Sequence, residues 1–406
     1  MTSEVSVKVR PAPDTSTTGK HIAALDGLRG VAILLVLMLH LLWANNHPDG
    51  GRIVQFFASF ISCGSLGVDL FFALSGFLIT GILYDTRLST HFFRNFYARR
   101  TLRVFPLYYG FIALLVILSY ALGSHWHRGI IGLLTYGIIV PHAIIWDAWW
   151  INLSHFWSLA IEEQFYLCWP VFVYALRTKR RILSVAVLLA LASFGLRCFI
   201  NLSGAAHHDA YLAYSWTPAR LDGLLFGSAL ALVTRSSRRD SVLRLSPIVL
   251  CGGICALAAY GFLHGGLHEV GDPWMQTFGI LIASLTSCAA IASSLRPGSL
   301  VARSMQASWL RFFGRYSYGL YVMHYTIATA LLPARPAIAA ATHSKLMGVL
   351  GAAALSLGAS ILAAMLSYRF FEQPILTLKR HFQDDSATPK LRRQLSNPSP
   401  SDLPAA

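Results

Sequence analysis

Long apolar runs alternate along this chain with short, basic loops. Runs of roughly twenty residues with few charges recur near 24–44, 64–84, 105–122, 156–176, 182–201, 219–234, 247–264, 276–295, 316–333 and 347–371. About twenty apolar residues is the length at which an α-helix spans bilayer hydrocarbon. The pattern predicts an all-α, polytopic transmembrane helical bundle of about ten transmembrane helices. One membrane domain, 23–375, would be flanked by cytoplasmic tails at 1–22 and 376–406. Both tails are polar and contain Pro and Ser, a composition expected to stay disordered. A further apolar piece, 130–146, contains Gly137 and Pro141.

Loop charge orients these runs. With the N-terminus in the cytoplasm, all but six of the 33 Lys and Arg lie on the cytoplasmic side. Arg52, Arg128, Arg335 and Lys345 fall in far-side loops, and Arg197 and Arg220 fall within spans. Basic loops mark the cytoplasmic face. The asymmetry holds only if 130–146 does not cross, because a crossing there would put Arg177, Lys179, Arg180 and Arg181 outside. Both termini are therefore expected to be cytoplasmic, with 130–146 re-entrant or on the surface. Irregular backbone is tolerated at membrane depth only where protein or a wet cavity covers it.

Composition agrees. The chain of 406 residues is 55% hydrophobic and 13% charged, against about 25% charged in soluble proteins. A net charge of +15 would suggest nucleic acid in a soluble protein; here it reflects topology, and no nucleic-acid partner is expected. The polar N-terminus lacks the pattern of a cleavable signal peptide. The six cysteines lack zinc-finger spacing, so no metal site is expected.

Ionisable residues inside apolar spans are costly and mark functional sites by default. In LDGLRGVAILLVLMLH, residues 25–40, Asp26 and Arg29 open a run that ends on His40. Eleven residues make almost three helical turns, so Arg29 and His40 share a face about 16 Å apart along the axis. That spacing places a cation at the membrane surface and an imidazole near mid-membrane. Asp26 is within helical pairing distance of Arg29.

Seven stretches stand in order: LDGLRGVAILLVLMLH at 25–40, GVDLFFALSGFLIT at 67–80, ARRTLRVFPLYY at 98–109, FWSLAIEEQFYLCWP at 156–170, RLDGLLFGSALA at 220–231, GRYSYGLYVMH at 314–324 and SYRFFEQP at 367–374. Together they resemble the acyltransferase-3 family of bacterial integral-membrane O-acyltransferases, over about residues 22–375. The resemblance implies transfer of an acyl group, commonly acetyl from acetyl-CoA, to a hydroxyl of a cell-surface or lipid-linked carbohydrate. Some members act on antibiotics or other small acceptors. The family's Arg-x10-His pattern maps onto Arg29 and His40, which implies a catalytic role for His40. Its Arg-x-x-Arg pair maps onto Arg100 and Arg103, with Arg99 as an extra neighbour. Members that carry an extracytoplasmic hydrolase-like domain have it after the membrane part. No such domain is expected within this sequence.

The residue chemistry fits that implication. A sugar hydroxyl is a poor nucleophile, and a base of near-neutral pKa helps by accepting its proton. His40 could instead carry the acyl group covalently. Arg29, Arg99, Arg100 and Arg103 are candidate ligands for the phosphates of acyl-CoA, which guanidinium groups bind bidentately. The donor is then a substrate, and no tightly bound cofactor is expected. Glu162 is a candidate for catalytic support, with Asp26 steadying Arg29. Asp69, Glu163, Trp157, Arg220 and Asp222 are candidates for contact with the acceptor. Glu162 and Glu163 could equally pair with Arg197 or Arg220, and Arg220 with Asp222. His324 could be a second functional histidine or a hydrogen-bonded bundle residue, and Arg369 and Glu372 read as a structural pair. A transporter using the same buried ionisable groups is the main alternative. Partners would be acyl-CoA, a carbohydrate and the bilayer of a bacterial inner membrane.

Overall fold

In the computed structural model, which describes residues 22–43, 60–123, 130–137, 151–205 and 211–382, ten helices of 12 to 30 residues occupy the ten apolar runs. They are α1 (Ala23–Trp43), α2 (Leu66–Thr86), α3 (Phe92–Ala121), α4 (Phe156–Leu176), α5 (Lys179–Leu202), α6 (Asp222–Val233), α7 (Arg239–His264), α8 (Ile280–Ser294), α9 (Ser308–Ala330) and α10 (Lys345–Ser367). No strand occurs among the described residues. The expected N-terminal tail lies outside the described residues except at 22. After α10 the chain continues in helical turns, Tyr368–Glu372, Gln373–Leu376 and Thr377–Phe382.

Seven helices are long and apolar enough to cross a membrane, and α4, α6 and α9 are not among them. Only 17% of the apolar window of α7, and 28% of those of α5 and α10, is buried within the protein. Those helices need apolar surfaces all round to face lipid. The shortfall of the other three has local causes. At 12 residues, α6 is about 18 Å long, less than the roughly 30 Å of hydrocarbon. Glu162 and Glu163 lie in α4, and Arg311, Arg315 and His324 in α9. The polar groups of Glu162, Glu163 and His324 face other helices, where partners are available, whereas Arg311 and Arg315 are exposed.

Small residues bring the inner helices into backbone contact. A Cβ on Gly30 would lie 2.0 Å from the Leu310 carbonyl oxygen, and one on Gly314 would lie 1.9 Å from that of Asp26. Only glycine lets α1 and α9 approach this closely. The two helices run in the same sense, with Gly27 beside Met305 at one end and His40 beside His324 at the other. Hydrogen bonds tie α2, α4 and α6 together: Trp169 donates to Thr80 at 2.8 Å, and Thr80 donates to Ser228 at 2.7 Å.

The segment expected not to cross begins with a single helical turn, Ile130–Leu134. Its carbonyls are met by side chains from the bundle. Tyr108 donates to Leu133 O and Tyr109 to Leu134 O, both at 2.8 Å, and Gln164 donates to Tyr136 O at 2.7 Å. Exposed backbone carbonyls are costly in hydrocarbon, and these three bonds remove that cost. Residues 138–146 lie outside the described residues.

Candidate active site

The site grows from the contact between α1 and α9. His40 stands in the last turn of α1, about 26 Å from the helix start at 1.5 Å per residue. It therefore lies near the far end of the span rather than at its middle, because α1 begins only three residues before Asp26 and ends at Trp43. His40 Nδ1 lies 2.9 Å from Nε2 of His324. Tyr325 stacks on the His40 ring, with centroids 4.4 Å apart and planes 22° apart. His155, at the start of α4, completes the group with its centroid 5.0 Å from His324 and 6.1 Å from His40.

Backbone and hydroxyl groups fix these rings. His155 Nε2 lies 2.9 Å from Tyr321 O. The Tyr321 hydroxyl donates to His155 O at 2.9 Å and also touches the Ser158 hydroxyl. His324 is fully buried and His40 partly so. The half-open ring is thus the one on α1. Among the described residues no set of three or more His, Cys, Asp or Glu side chains is placed to share a metal ion.

Cations gather at the other end of the α1 face. Arg29 lies 3.9 Å from Asp26, and Arg100 of α3 lies 4.0 Å from both Glu162 and Glu163. The Arg100 guanidinium sits 3.7 Å over the Tyr166 ring, a geometry in which the ring face attracts the cation. Glu162 is held from two sides: Ser75 donates to Oε1 at 3.0 Å and Tyr166 to Oε2 at 2.7 Å. Arg29, Arg100 and Arg103 lie within electrostatic range of one another. Lys379, from the turn after α10, faces Arg99, Arg100 and Arg103. Arg99 and Arg103 are exposed. Positive charge therefore exceeds negative charge here.

A second charged group is sealed among α2, α5, α6 and the loop after α7. Arg197 pairs with Asp222 at 2.6 Å and donates to Ala219 O. Arg220 lies 3.1 Å from Asp69 and 4.0 Å from Glu269, with Phe72, Trp157 and Tyr214 rings within 5.7 Å of its guanidinium carbon. All five charged side chains are at most 3% exposed. Glu269 sits in the loop between α7 and α8. Burial pushes its carboxyl above the usual range, while Arg220 and the Ser65 hydroxyl pull it back.

The structure thus sorts the sequence candidates into three places. His40 stands with His324 and His155. Asp26, Arg29, Arg100, Glu162 and Glu163 form the inner cluster, with Arg99 and Arg103 beside it. Asp69, Trp157, Arg220 and Asp222 meet in the sealed group. Several expected pairings differ. Glu162 and Glu163 pair with Arg100 and not with Arg197 or Arg220, because the Arg100 side chain reaches from α3 over the Tyr166 ring to that face of α4. Arg220 pairs with Asp69, and Asp222 with Arg197. Glu372 accepts from Ser367 at 3.2 Å instead of pairing with Arg369; the π-helical turn Tyr368–Glu372 moves the two off a common face. His155 and Lys379 were not given site roles by the sequence. A polar residue at the mouth of an apolar run was the available signal for His155, and nothing local marked Lys379.

The family's sequence profile, described as an acyltransferase domain, matches residues 22–369. The chain belongs to the acyltransferase-3 family. It is 30% identical over 386 residues to the peptidoglycan O-acetyltransferase OatA of Listeria monocytogenes, covering 89% of this chain and 57% of that protein. It is 30% identical over 392 residues to the putative peptidoglycan O-acetyltransferase YrhL of Bacillus subtilis, covering 88% and 55%. With the O-acetyltransferase OatA of Staphylococcus aureus it shares 28% identity over 401 residues, covering 93% and 60%. The chain therefore spans little more than half the length of the curated relatives it matches. No solved structure matches it significantly. Family and helices together make this a multi-pass membrane protein.

Proposed function

We propose that this chain is a membrane O-acyltransferase that moves an acetyl group from acetyl-CoA to a hydroxyl of a cell-wall carbohydrate. In this proposal the bundle at 23–375 crosses a bacterial inner membrane ten times, with the tails at 1–22 and 376–406 in the cytoplasm. One observation carries it: α1 leads from Arg29, beside Arg100 and Arg103 of α3, at one end to a hydrogen-bonded histidine at the other. The names of the relatives support acetyl as the group and peptidoglycan as the acceptor class.

Arg29, Arg100 and Arg103, with Arg99 and Lys379 at the rim, would hold the phosphates of CoA. Guanidinium forks suit phosphate oxygens. The pantetheine arm would then run along the α1 face toward His40, and Asp26 would steady Arg29. His40 Nε2 accepts the acceptor's hydroxyl proton as the oxygen attacks the thioester carbonyl. The carbon–sulfur bond breaks, and the thiolate leaves and takes that proton, giving the ester and free CoASH. General-base catalysis of this kind contributes about 10²–10⁴-fold. Glu162 supports the site by holding Arg100. Asp69, Trp157, Arg220 and Asp222, sealed between helices, would brace the bundle rather than touch the acceptor.

Purified protein in vesicles, given labelled acetyl-CoA and soluble peptidoglycan fragments, is expected to produce acetylated glycan. His40→Ala is expected to lower that rate by at least about a hundredfold. Undiminished acetylation by the folded His40→Ala protein would overturn the proposal.

A further inference from the structure

We infer that His324 is a positioning residue that sets the tautomer of His40 and so selects Nε2 as the base nitrogen. The role presupposes the base function of His40 proposed above. His324 Nδ1 lies 2.9 Å from the carbonyl oxygens of Leu320 and Tyr321, in its own helix. Carbonyl oxygens only accept, so this nitrogen carries the hydrogen. In a neutral imidazole the other nitrogen is then a bare acceptor. That nitrogen, His324 Nε2, faces His40 Nδ1 at 2.9 Å. His40 Nδ1 must therefore donate, which leaves His40 Nε2 unprotonated.

The consequence is a directed chain: His40 Nδ1–H to His324 Nε2, and His324 Nδ1–H to the α9 backbone. Such orientation by the partner of the second nitrogen is how proteins choose the reactive nitrogen of a histidine. The usual partner is a carboxylate or a carbonyl. Here it is a second imidazole, backed by two peptide carbonyls of α9 and fully buried. When Nε2 of His40 takes a proton, the His324 lone pair faces the new positive charge and stabilises it, without a buried formal charge in the resting state. Tyr325, stacked on His40, keeps its ring from turning over.

Among the described residues, the other titratable groups around the pair are His155, from α4, and Tyr321 and Tyr325, from α9. His155 Nε2 faces the Tyr321 carbonyl and so carries the hydrogen, and its bare Nδ1 makes no hydrogen bond among the described residues, to His40 or to any other group.

Two measurements test the assignment. The first is the ¹⁵N spectrum of histidine-labelled protein in lipid, with His40 assigned by comparison with His40→Ala. His40 is expected to be protonated at Nδ1 in the resting protein. A spectrum showing it protonated at Nε2 would overturn the inference with no further variant needed. The second is acetyl transfer from acetyl-CoA to peptidoglycan fragments across a pH series. His324→Ala is expected to lower kcat about tenfold to a hundredfold, with KM for acetyl-CoA unchanged, and to mix the His40 tautomers. His324→Gln, whose amide oxygen can accept from Nδ1, is expected to recover most of the rate and the Nδ1–H signal. A His324→Ala protein that keeps both the wild-type rate and a pure Nδ1–H signal would refute the role. So would a folded His324→Gln protein no better than His324→Ala. Loss of rate in His40→Ala beside full rate in His324→Ala would refute the positioning role alone. Full rate in His40→Ala would instead remove the base function itself.

Discussion

Two charged clusters in this bundle share a composition and differ in almost everything else. The inner one, around Arg29, Arg100, Glu162 and Glu163, is loosely paired at 3.9–4.0 Å, and its cations are 18–25% exposed. The outer one, around Arg197, Arg220, Asp69, Asp222 and Glu269, pairs as closely as 2.6 Å with every member at most 3% exposed. Surplus charge also differs in sign. Extra cations border the inner cluster, whereas three carboxyls meet two guanidiniums in the outer one. A loose, accessible excess of cations has capacity left for an anionic ligand. In the sealed network each charged group has an ion partner within the network. In the function proposed above, the same residue types would serve binding in one place and architecture in the other, with burial separating them.

The strongest way to break this comparison is to strand a charge in the sealed cluster. Asp222→Ala leaves the Arg197 guanidinium buried without its carboxylate. Breaking one side of a buried pair costs about 3–5 kcal/mol, so a large drop in thermal stability in detergent is expected. Replacing both partners, as Arg197→Met with Asp222→Leu, is expected to restore most of it. An Asp222→Ala protein that melts with the wild type would show that the sealed cluster is not architectural.

Arg100→Gln probes the inner cluster and should act on binding. Hydrogen bonds to charged groups contribute about 1.5–3 kcal/mol, so KM for acetyl-CoA is expected to rise about tenfold or more. Thermal stability should move far less than in Asp222→Ala, because Glu162 keeps its bonds from Ser75 and Tyr166. A melting point that collapses while KM stays fixed would reverse the assignment of the two clusters.

Much of this was legible in the chain, and the limits have a physical cause. Hydropathy located all ten helices, because lipid and core both demand apolar surface. Helical periodicity put Arg29 and His40 on one face, and α1 is continuous from Ala23 to Trp43. Periodicity says which face a residue occupies but not which helix that face meets. His40 and His324 are 284 residues apart, and only the α1–α9 contact at Gly30 and Gly314 joins them. The same blindness gave Glu162 the wrong arginine and left Lys379 unnoticed. Arg369 and Glu372 fail for a different reason: a π-helical turn breaks the register that an i, i+3 pair needs.

The finest distinction lies between two adjacent acids. Glu162 accepts from Ser75 and Tyr166 as well as facing Arg100. Glu163 lies 4.0 Å from Arg100, beyond hydrogen-bond length, and its Oε1 has no hydrogen-bond partner among the described residues. A charge so weakly engaged should matter little once its own cost of burial is counted. Glu163→Gln removes that cost and keeps the shape, so acetyl transfer within a few-fold of wild type is expected, with stability changed by less than about 1 kcal/mol. Glu162→Gln gives up one of two acceptor oxygens and turns an amide NH₂ toward the Ser75 or the Tyr166 hydroxyl, so it should lower the rate more than its neighbour does. Measured side by side, the ratio of the two rates reports which acid holds Arg100. If Glu163→Gln were the more damaging, the acid that holds Arg100 would be Glu163, and the hydrogen bonds around Glu162 would be architecture.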